Sequence, residues 1–185
     1  MDGIRADART FVAEDGDRLV GYSSLFEGTP WPTGQYDSGY LDLLNVHPDY
    51  HGRSVGRRLL QATIERSVQQ GWVYQTLGTW SANFKSVPAY KKTGHFWRPD
   101  TSVWMQNFIP GALQMPLARR FFDRHDWYST YVRTLEQRPD DERWEGLKVY
   151  RQHWEAEGES LTIWIDREAQ GPCAVENGDV LVAAI

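Results

Sequence analysis

The chain has 185 residues, 41% hydrophobic and 24% charged, with a formal net charge of -5. Such proportions describe a folded globular protein and exclude a disordered one; the negative charge argues against nucleic acid as the bulk partner, and no apolar run approaches the roughly 20 residues of a membrane span. One cysteine, Cys173, excludes an internal disulfide and cannot make a cysteine-based metal site alone. With no basic-then-apolar leader, a cytoplasmic location is expected. Nine tryptophans and nine tyrosines are the compositional oddity: rings at this density suit a polarisable cleft, an aromatic interface or a core of large side chains.

Met1 to Arg9 is polar and reads as a loose or edge segment. TFVAEDGDRLVGYSSLF follows as a hairpin, with a turn at Asp15-Gly16 between Phe11–Ala13 and Leu19–Phe26. The prolines and glycines of EGTPWPTGQYDSG make a loop, whose Trp31 and Tyr36 can cover an interior or line a cleft. Tyr40 to Val46 is an apolar strand carrying one acid, Asp42, and it stops at His47-Pro48 because proline removes a ladder donor. A polar turn with Gly52 and Gly56 leads into a helix from Arg57, on which Leu59, Leu60, Ile64 and Val68 recur at helical spacing before the Gly71 cap. Trp72 to Leu77 is the next strand. SANFKSVPAYKKTGHFW then holds a short helix up to Thr93, closed by Gly94, with a strand starting at His95. The stretch 101–109 is a further strand with Val103, Met105 and Phe108 as inward candidates.

A seam falls at 109–116, IPGALQMP. Beyond it the pattern predicts a helix from Leu117 to Arg138, broken near His125-Asp126, and a second helix starting at Pro139 with Trp144, Leu147, Tyr150, Arg151 and Trp154 on one face. LTIWI and a hairpin arm around ENGDVLVAAI close the chain as strands. The echo between AEDGDRLVG and VENGDVLVA is what two favoured hairpin turns produce without duplication. The expected architecture is α/β in the α+β sense, a mixed central sheet with flanking helices. Residues 1–110 form the main domain, and 111–185 a helical and hairpin extension packed on it or on a partner.

The loop after the central strand carries chemistry. A strand, a glycine-bearing turn and a helix leave the first helical amides pointing outward, where Arg53, Arg57 and Arg58 add positive charge, so residues 51–56 suit an anion such as a pyrophosphate. A tight structural turn is the alternative. Ser54 lacks the freedom of glycine, so a positive φ is not expected there. Asp42 inside an apolar run must stand at an open sheet face or be paired. His47, His51, His95 and His125 do not fall at metal-ligand spacing, and no metal is expected.

YLDLLNVHPDYHGRSVGRRLL resembles the acetyl-CoA-binding segment of the Gcn5-related N-acetyltransferase (GNAT) superfamily: Val46, Pro48 and Gly56 match, His51 stands for Gln or Arg, and Ser54 replaces a glycine. NFKSVPAYKKTGHF resembles the second family segment through Asn83, Tyr90 and Gly94, with His95 inserted before Phe96. The resemblance covers about residues 10–108 and implies an acyl-CoA N-acyltransferase-like fold without the usual first strand and helices. It also implies that acetyl-CoA is the cofactor, with pyrophosphate on the amides of His51, Gly52, Arg53, Ser54, Val55 and Gly56, aided by Arg57. Pantetheine would lie on the backbone of Leu44 and Val46, with Asn83 touching the arm. Tyr90 takes the place of the general acid and Asp42 that of the base. The implied activity is acetyl transfer to a primary amine, on a small molecule or a peptide, by direct attack in a ternary complex. A non-catalytic CoA-binding module or regulatory subunit is the alternative. The missing acceptor wall is expected from residues 117–185 together with a second subunit, as a homo-oligomer.

Overall fold

The computed structural model describes residues 3–6, 9–28, 38–98, 101, 103–126, 131–137, 149–166, 171–178 and 180–183. Its first sheet is mixed and ordered β1-β2-β3-β4-β5-β7-β6, built from β1 (Gly3–Ala6), β2 (Thr10–Asp15), β3 (Arg18–Glu27), β4 (Ser38–Val46), β5 (Tyr74–Gly78), β6 (Phe96–Trp97) and β7 (Trp104–Asn107). Only β4 and β5 pair in parallel among these neighbours, and such a pair needs a crossover. Helix α1 (Val55–Gln69) supplies it.

The sequence explains α1 at both ends and along its length. Leu59, Leu60 and Ile64 repeat at intervals that put them on one face, and all are fully buried against the sheet. Each such side chain contributes about 1.5–3 kcal/mol through area removed from water. At the far end Gly71 takes φ 72, its amide donates to the Val68 carbonyl and that of Trp72 to Ser67. This paired closure satisfies carbonyls that the last turn would otherwise orphan.

β1 lies antiparallel on β2, Gly3 opposite Glu14 and Ala6 opposite Phe11. The start of the chain, read as a loose or edge segment, thus contributes a short strand at the edge of the sheet. Three residues separate it from β2, too few for any helix. In β7, Met105 and Phe108 just after it are buried as expected, while Val103 is exposed.

The larger correction concerns the tail. After α3 (Ile109–Ala112) and α4 (Pro116–Arg124) the chain turns to strands: β8 (Tyr131–Gln137), β9 (Val149–Ala156), β10 (Glu159–Asp166), β11 (Gly171–Asn177) and β12 (Val180–Ala183). They form a second, wholly antiparallel sheet ordered β12-β11-β10-β9-β8. The predicted helix to Arg138 ends at Arg124, and Tyr131–Gln137 is extended. Tyr150, Arg151 and Trp154, assigned to a helical face, lie on β9; Trp144 and Leu147 fall outside the described residues, as do Trp31 and Tyr36. The true period on β9 is two. Gln152 and Trp154 point inward while Arg151, His153 and Glu155 are more exposed. Spacings of three and four between aromatic residues arose across a strand boundary.

One apolar cluster joins residues on both sides of the seam: Ile64, Phe96 and Phe108 with Phe121, Trp154, Ile163 and Val175. Trp154 is fully buried and meets Phe122 edge-on at 5.4 Å between ring centroids. The Arg119 guanidinium contributes a polar clasp to Glu65 of α1 at 2.9 Å. A separate cluster under β2–β5 holds Phe11, Leu25, Leu41, Leu59, Leu77 and Tyr90.

Candidate active site

Strand β4 opens the site. Its register on β3 runs from Glu27 opposite Gly39 to Gly21 opposite Val46, but Leu25 faces Leu41 and Ser24 faces Leu43, so Asp42 is the extra residue of a bulge. A bulge bends its strand and reverses the side-chain alternation beyond it. The reversal is present. Leu41 belongs to the apolar cluster before the bulge, and Leu44 and Val46 pack on that cluster after it. Parallel pairing with β5 ends at Leu41 opposite Leu77, although β4 continues to Val46. The two strands therefore part at Asp42.

Beside the parting lies a cleft of about 700 Å³ lined by Leu44, Asn45 and Val46 of β4, by Tyr50 to Gly52 and Ser54 to Arg57, and by Lys85, Ser86 and Ala89. The loop is shaped by a 3-10 turn at Pro48–Tyr50. This turn engages the amides of His51, which donates to the Pro48 carbonyl, and Arg53, which donates to Tyr50. Those of Gly52, Ser54, Val55 and Gly56 have no hydrogen-bond partner among the described residues. Hence the expected cradle of amides from His51 to Gly56 narrows to these, at the positive end of α1. Gly52 takes φ 77, and a Cβ at Gly56 would meet only Val46 Cγ2 at 3.6 Å.

Ser54 overturns the expectation made for it: it occupies the left-handed region at φ 60, ψ 13, as the residue before α1, and its side chain makes no capping bond. A non-glycine residue there costs about 1 kcal/mol or more. Ser54→Gly is therefore expected to raise unfolding free energy by about 0.5–1 kcal/mol, read as a higher urea midpoint at unchanged slope.

Other predicted residues have particular neighbours. His51 lines the cleft and donates from Nε2 to the Val46 carbonyl at 3.0 Å, which occupies one of the backbone groups assigned to a pantetheine arm. Arg53 does not line the cleft; its guanidinium stacks over the Tyr50 ring at 5.0 Å. Arg57 lines it and pairs with Asp126 at 2.9 Å, whose other oxygen accepts from Gln61 Nε2 at 3.1 Å. Apart from that pair, none of the lining residues found among the described residues comes from 117–185. Lys85, Ser86 and Asn45 line it and were missed by sequence reasoning. Lys85 carried a signal, as a cation inside the segment around Asn83.

Asn83 holds the start of α2 (Val87–Lys92) rather than lining the cleft: its Oδ1 accepts from the Ser86 amide at 3.2 Å and its Nδ2 donates to Thr79 Oγ1 at 3.1 Å. Tyr90, on α2, is 8% exposed. Burial lifts its hydroxyl above the ordinary phenol range, and a hydrogen bond from the cleft residue Ser86 partly offsets this. Asp42 is exposed at the bulge. Its neighbour Tyr40 is raised above the phenol range, first by burial and then by the Asp42 charge. The Tyr40 and Trp104 rings lie 6.2 Å apart, and Trp80 (64% exposed) and Phe84 (83%) stand open on the loop after β5.

Behind Tyr90 sits His95, 1% exposed, its ring 5.8 Å from that of Tyr90. Desolvation holds this imidazole at a pKa of about 3, against a weaker opposing bond to the Tyr90 backbone. Its folded value lies below the unfolded one near 6.5, so the unfolded chain binds the extra proton. Stability is fully present above about pH 6.5 and is lost as pH falls from there toward about 3. Between pH 7 and pH 5 the loss from this group is about 2 kcal/mol. Denaturant midpoints at the two pH values should show it, and His95→Asn should remove it.

The profile of the Acetyltransferase (GNAT) family matches residues 2–95. No curated protein matches the chain. Among solved structures, the chain is similar to a PaiA N-acetyltransferase from Thermoplasma acidophilum in complex with coenzyme A, at 20% identity and a TM-score of 0.45, over 54% of this chain and 59% of that one. Protein PH1933 from Pyrococcus horikoshii OT3 is similar at 20% identity and a TM-score of 0.48, over 54% and 64%. A ribosomal-protein-alanine N-acetyltransferase from Brucella melitensis is similar at 22% and 0.45, over 54% and 67%. The chain thus spans less than two thirds of the first two proteins. With the family profile covering just over half of its length, the chain belongs to the GNAT family of acetyltransferases.

Proposed function

We propose that the chain transfers an acetyl group from acetyl-CoA to a primary amine by direct attack in a ternary complex. The observation that carries this reading is the parting of β4 from β5 at the Asp42 bulge, immediately beside a cradle of unpaired amides. The donor set fits the group. Unpaired amides at Gly52, Ser54, Val55 and Gly56 suit a pyrophosphate, with Lys85 and Arg57 as flanking cations. The backbone of Leu44 and Asn45, released from β5, suits the amides of a pantetheine arm.

Acetyl-CoA supplies the activated acetyl thioester. The acceptor nitrogen reaches the carbonyl only after losing its proton, which Asp42 takes directly or through water. As the C–N bond forms and the C–S bond breaks, Tyr90 gives its proton to the departing sulfur, and the second proton leaving the acceptor nitrogen passes through solvent to restore the Tyr90 hydroxyl. A phenol carries its proton at neutral pH, and burial raises the pKa of this one further. The acceptor approaches on the face carrying Tyr40, Asp42 and Trp104, where a carboxylate beside aromatic rings favours an ammonium on an apolar body, whether a small amine or a peptide end.

One observation favours a second reading, a non-catalytic CoA-binding module: the Tyr90 ring is buried and does not line the cleft. Thiol release from acetyl-CoA across a panel of amines and peptides, run beside calorimetric titration with CoA, separates the two. Turnover supports the transferase; binding without turnover for any amine supports the module. Absence of both overturns the reading of the cleft itself.

A further inference from the structure

We propose that Gln152, on β9 of the second sheet, is a positioning residue for catalysis: it holds the C-terminal end of α2, and through it Tyr90. The inference rests on the reading of Tyr90 as the general acid.

Helix α2 has six residues, far too few to be stable by itself, so its ends must be held by the surrounding structure. Asn83 holds the first end. At the second, the amide of Gly94 donates to the Lys91 carbonyl at 3.2 Å and that of His95 to the Tyr90 carbonyl at 3.0 Å. Thr93 Oγ1 also donates to the Tyr90 carbonyl, at 2.9 Å. The main chain of Tyr90 is thus an anchor of the closure, and the closure requires Gly94 at φ 96.

Two side chains from outside α2 fix this turn. Asn107 on β7 donates to the Thr93 carbonyl at 2.8 Å and accepts from the Ile109 amide at 2.9 Å. Gln152 Nε2 donates to the Gly94 carbonyl at 2.9 Å across 58 positions of sequence. Thr93, Asn107 and Gln152 are each 1% exposed or less. Burying an amide side chain costs free energy that only its hydrogen bonds recover. The neighbouring inward residue of β9 is Trp154, and the strand beside it contributes Leu161, Ile163 and Ile165. An apolar residue at 152 would suit that surface equally well, so the amide is explained by the carbonyl it meets. Removing the donor leaves the Gly94 carbonyl buried without this partner, and the turn that ends in Tyr90 is free to shift. A displacement of about 1 Å at a reacting group is enough to lower rate substantially.

The test is Gln152→Met, which keeps volume and removes the donor, assayed by thiol release from acetyl-CoA with an amine that the panel shows to be accepted. The expected result is a kcat lowered about tenfold with the KM for acetyl-CoA within about twofold, because no cleft residue is touched. In a Tyr90→Phe background the same change should cost less than about twofold, since both act on one step. If Gln152→Met lowers the melting temperature while kcat in the folded range is unchanged, the residue is structural only and the proposal falls. An equal loss in both backgrounds also overturns it. Undiminished turnover by Tyr90→Phe sinks the acid assignment and this proposal together; a slow Tyr90→Phe beside an unaffected Gln152→Met sinks this proposal alone. Should the Met variant not fold, Gln152→Asn, an amide one methylene short, carries the same readouts with kcat lowered about threefold.

Discussion

Tyr90→Phe is expected to lower kcat by about 10² to 10³ while leaving the KM for acetyl-CoA nearly unchanged, the range that loss of a positioned proton donor produces. The ring itself is retained, so the apolar cluster with Leu41, Leu59 and Leu77 survives the change. What disappears is one buried hydroxyl, protonated at neutral pH like any phenol. Steady-state kinetics at saturating amine checks the expectation, with circular dichroism to confirm that the variant is folded. A rate equal to that of the unaltered chain would remove Tyr90 from the mechanism.

Gly94→Ala should be strongly destabilising, because strain and overlap coincide there. At φ 96 an alanine is strained by about 1–2 kcal/mol. Its Cβ would also stand 2.6 Å from Ile109 Cγ1 and 2.9 Å from Asn107 Oδ1. Relieving that overlap costs a further 1–3 kcal/mol or so, because Asn107 is itself tied to Thr93 and Ile109. The sum, about 3 kcal/mol, should appear as a clear fall in urea midpoint and a melting temperature lower by roughly 10 °C. Gly16, with φ 57 and nothing within 4 Å of its added Cβ, is the control that carries backbone strain alone.

Much of the first 108 residues can be read locally. The Asp15-Gly16 hairpin, the stop at His47-Pro48, the apolar face of α1 and its Gly71 closure each depend on residues adjacent in sequence, and the structure has all of them. The tail defeats local reading because its strands are stabilised by cross-strand partners many positions away. Tyr131 to Gln137 pairs with Tyr150 to Trp154, and Val149 to Ala156 with Glu159 to Asp166. Between such partners, aromatic spacing of three and four carries no helical meaning, and pairing overrides it. Ser54 fails for the opposite reason: a local preference against positive φ yields to the loop that must turn from Tyr50 into α1.

The sequence by itself determined the strand, loop and helix around Gly52 and Gly56, the segment from Asn83 to Gly94 that resembles the family, and the places of Tyr90 and Asp42 within them. These depend on residue types at short separation, where backbone preference and hydrophobic period dominate. Only the tertiary structure decided which amides of the loop are free, that the bulge at Asp42 opens β4 from β5, and that His51 and Arg57 are engaged by Val46 and Asp126. It also decided that the second sheet reaches Gly94 through Gln152. Each of those is a hydrogen bond or register between distant segments, and its geometry exists only once burial has brought them together.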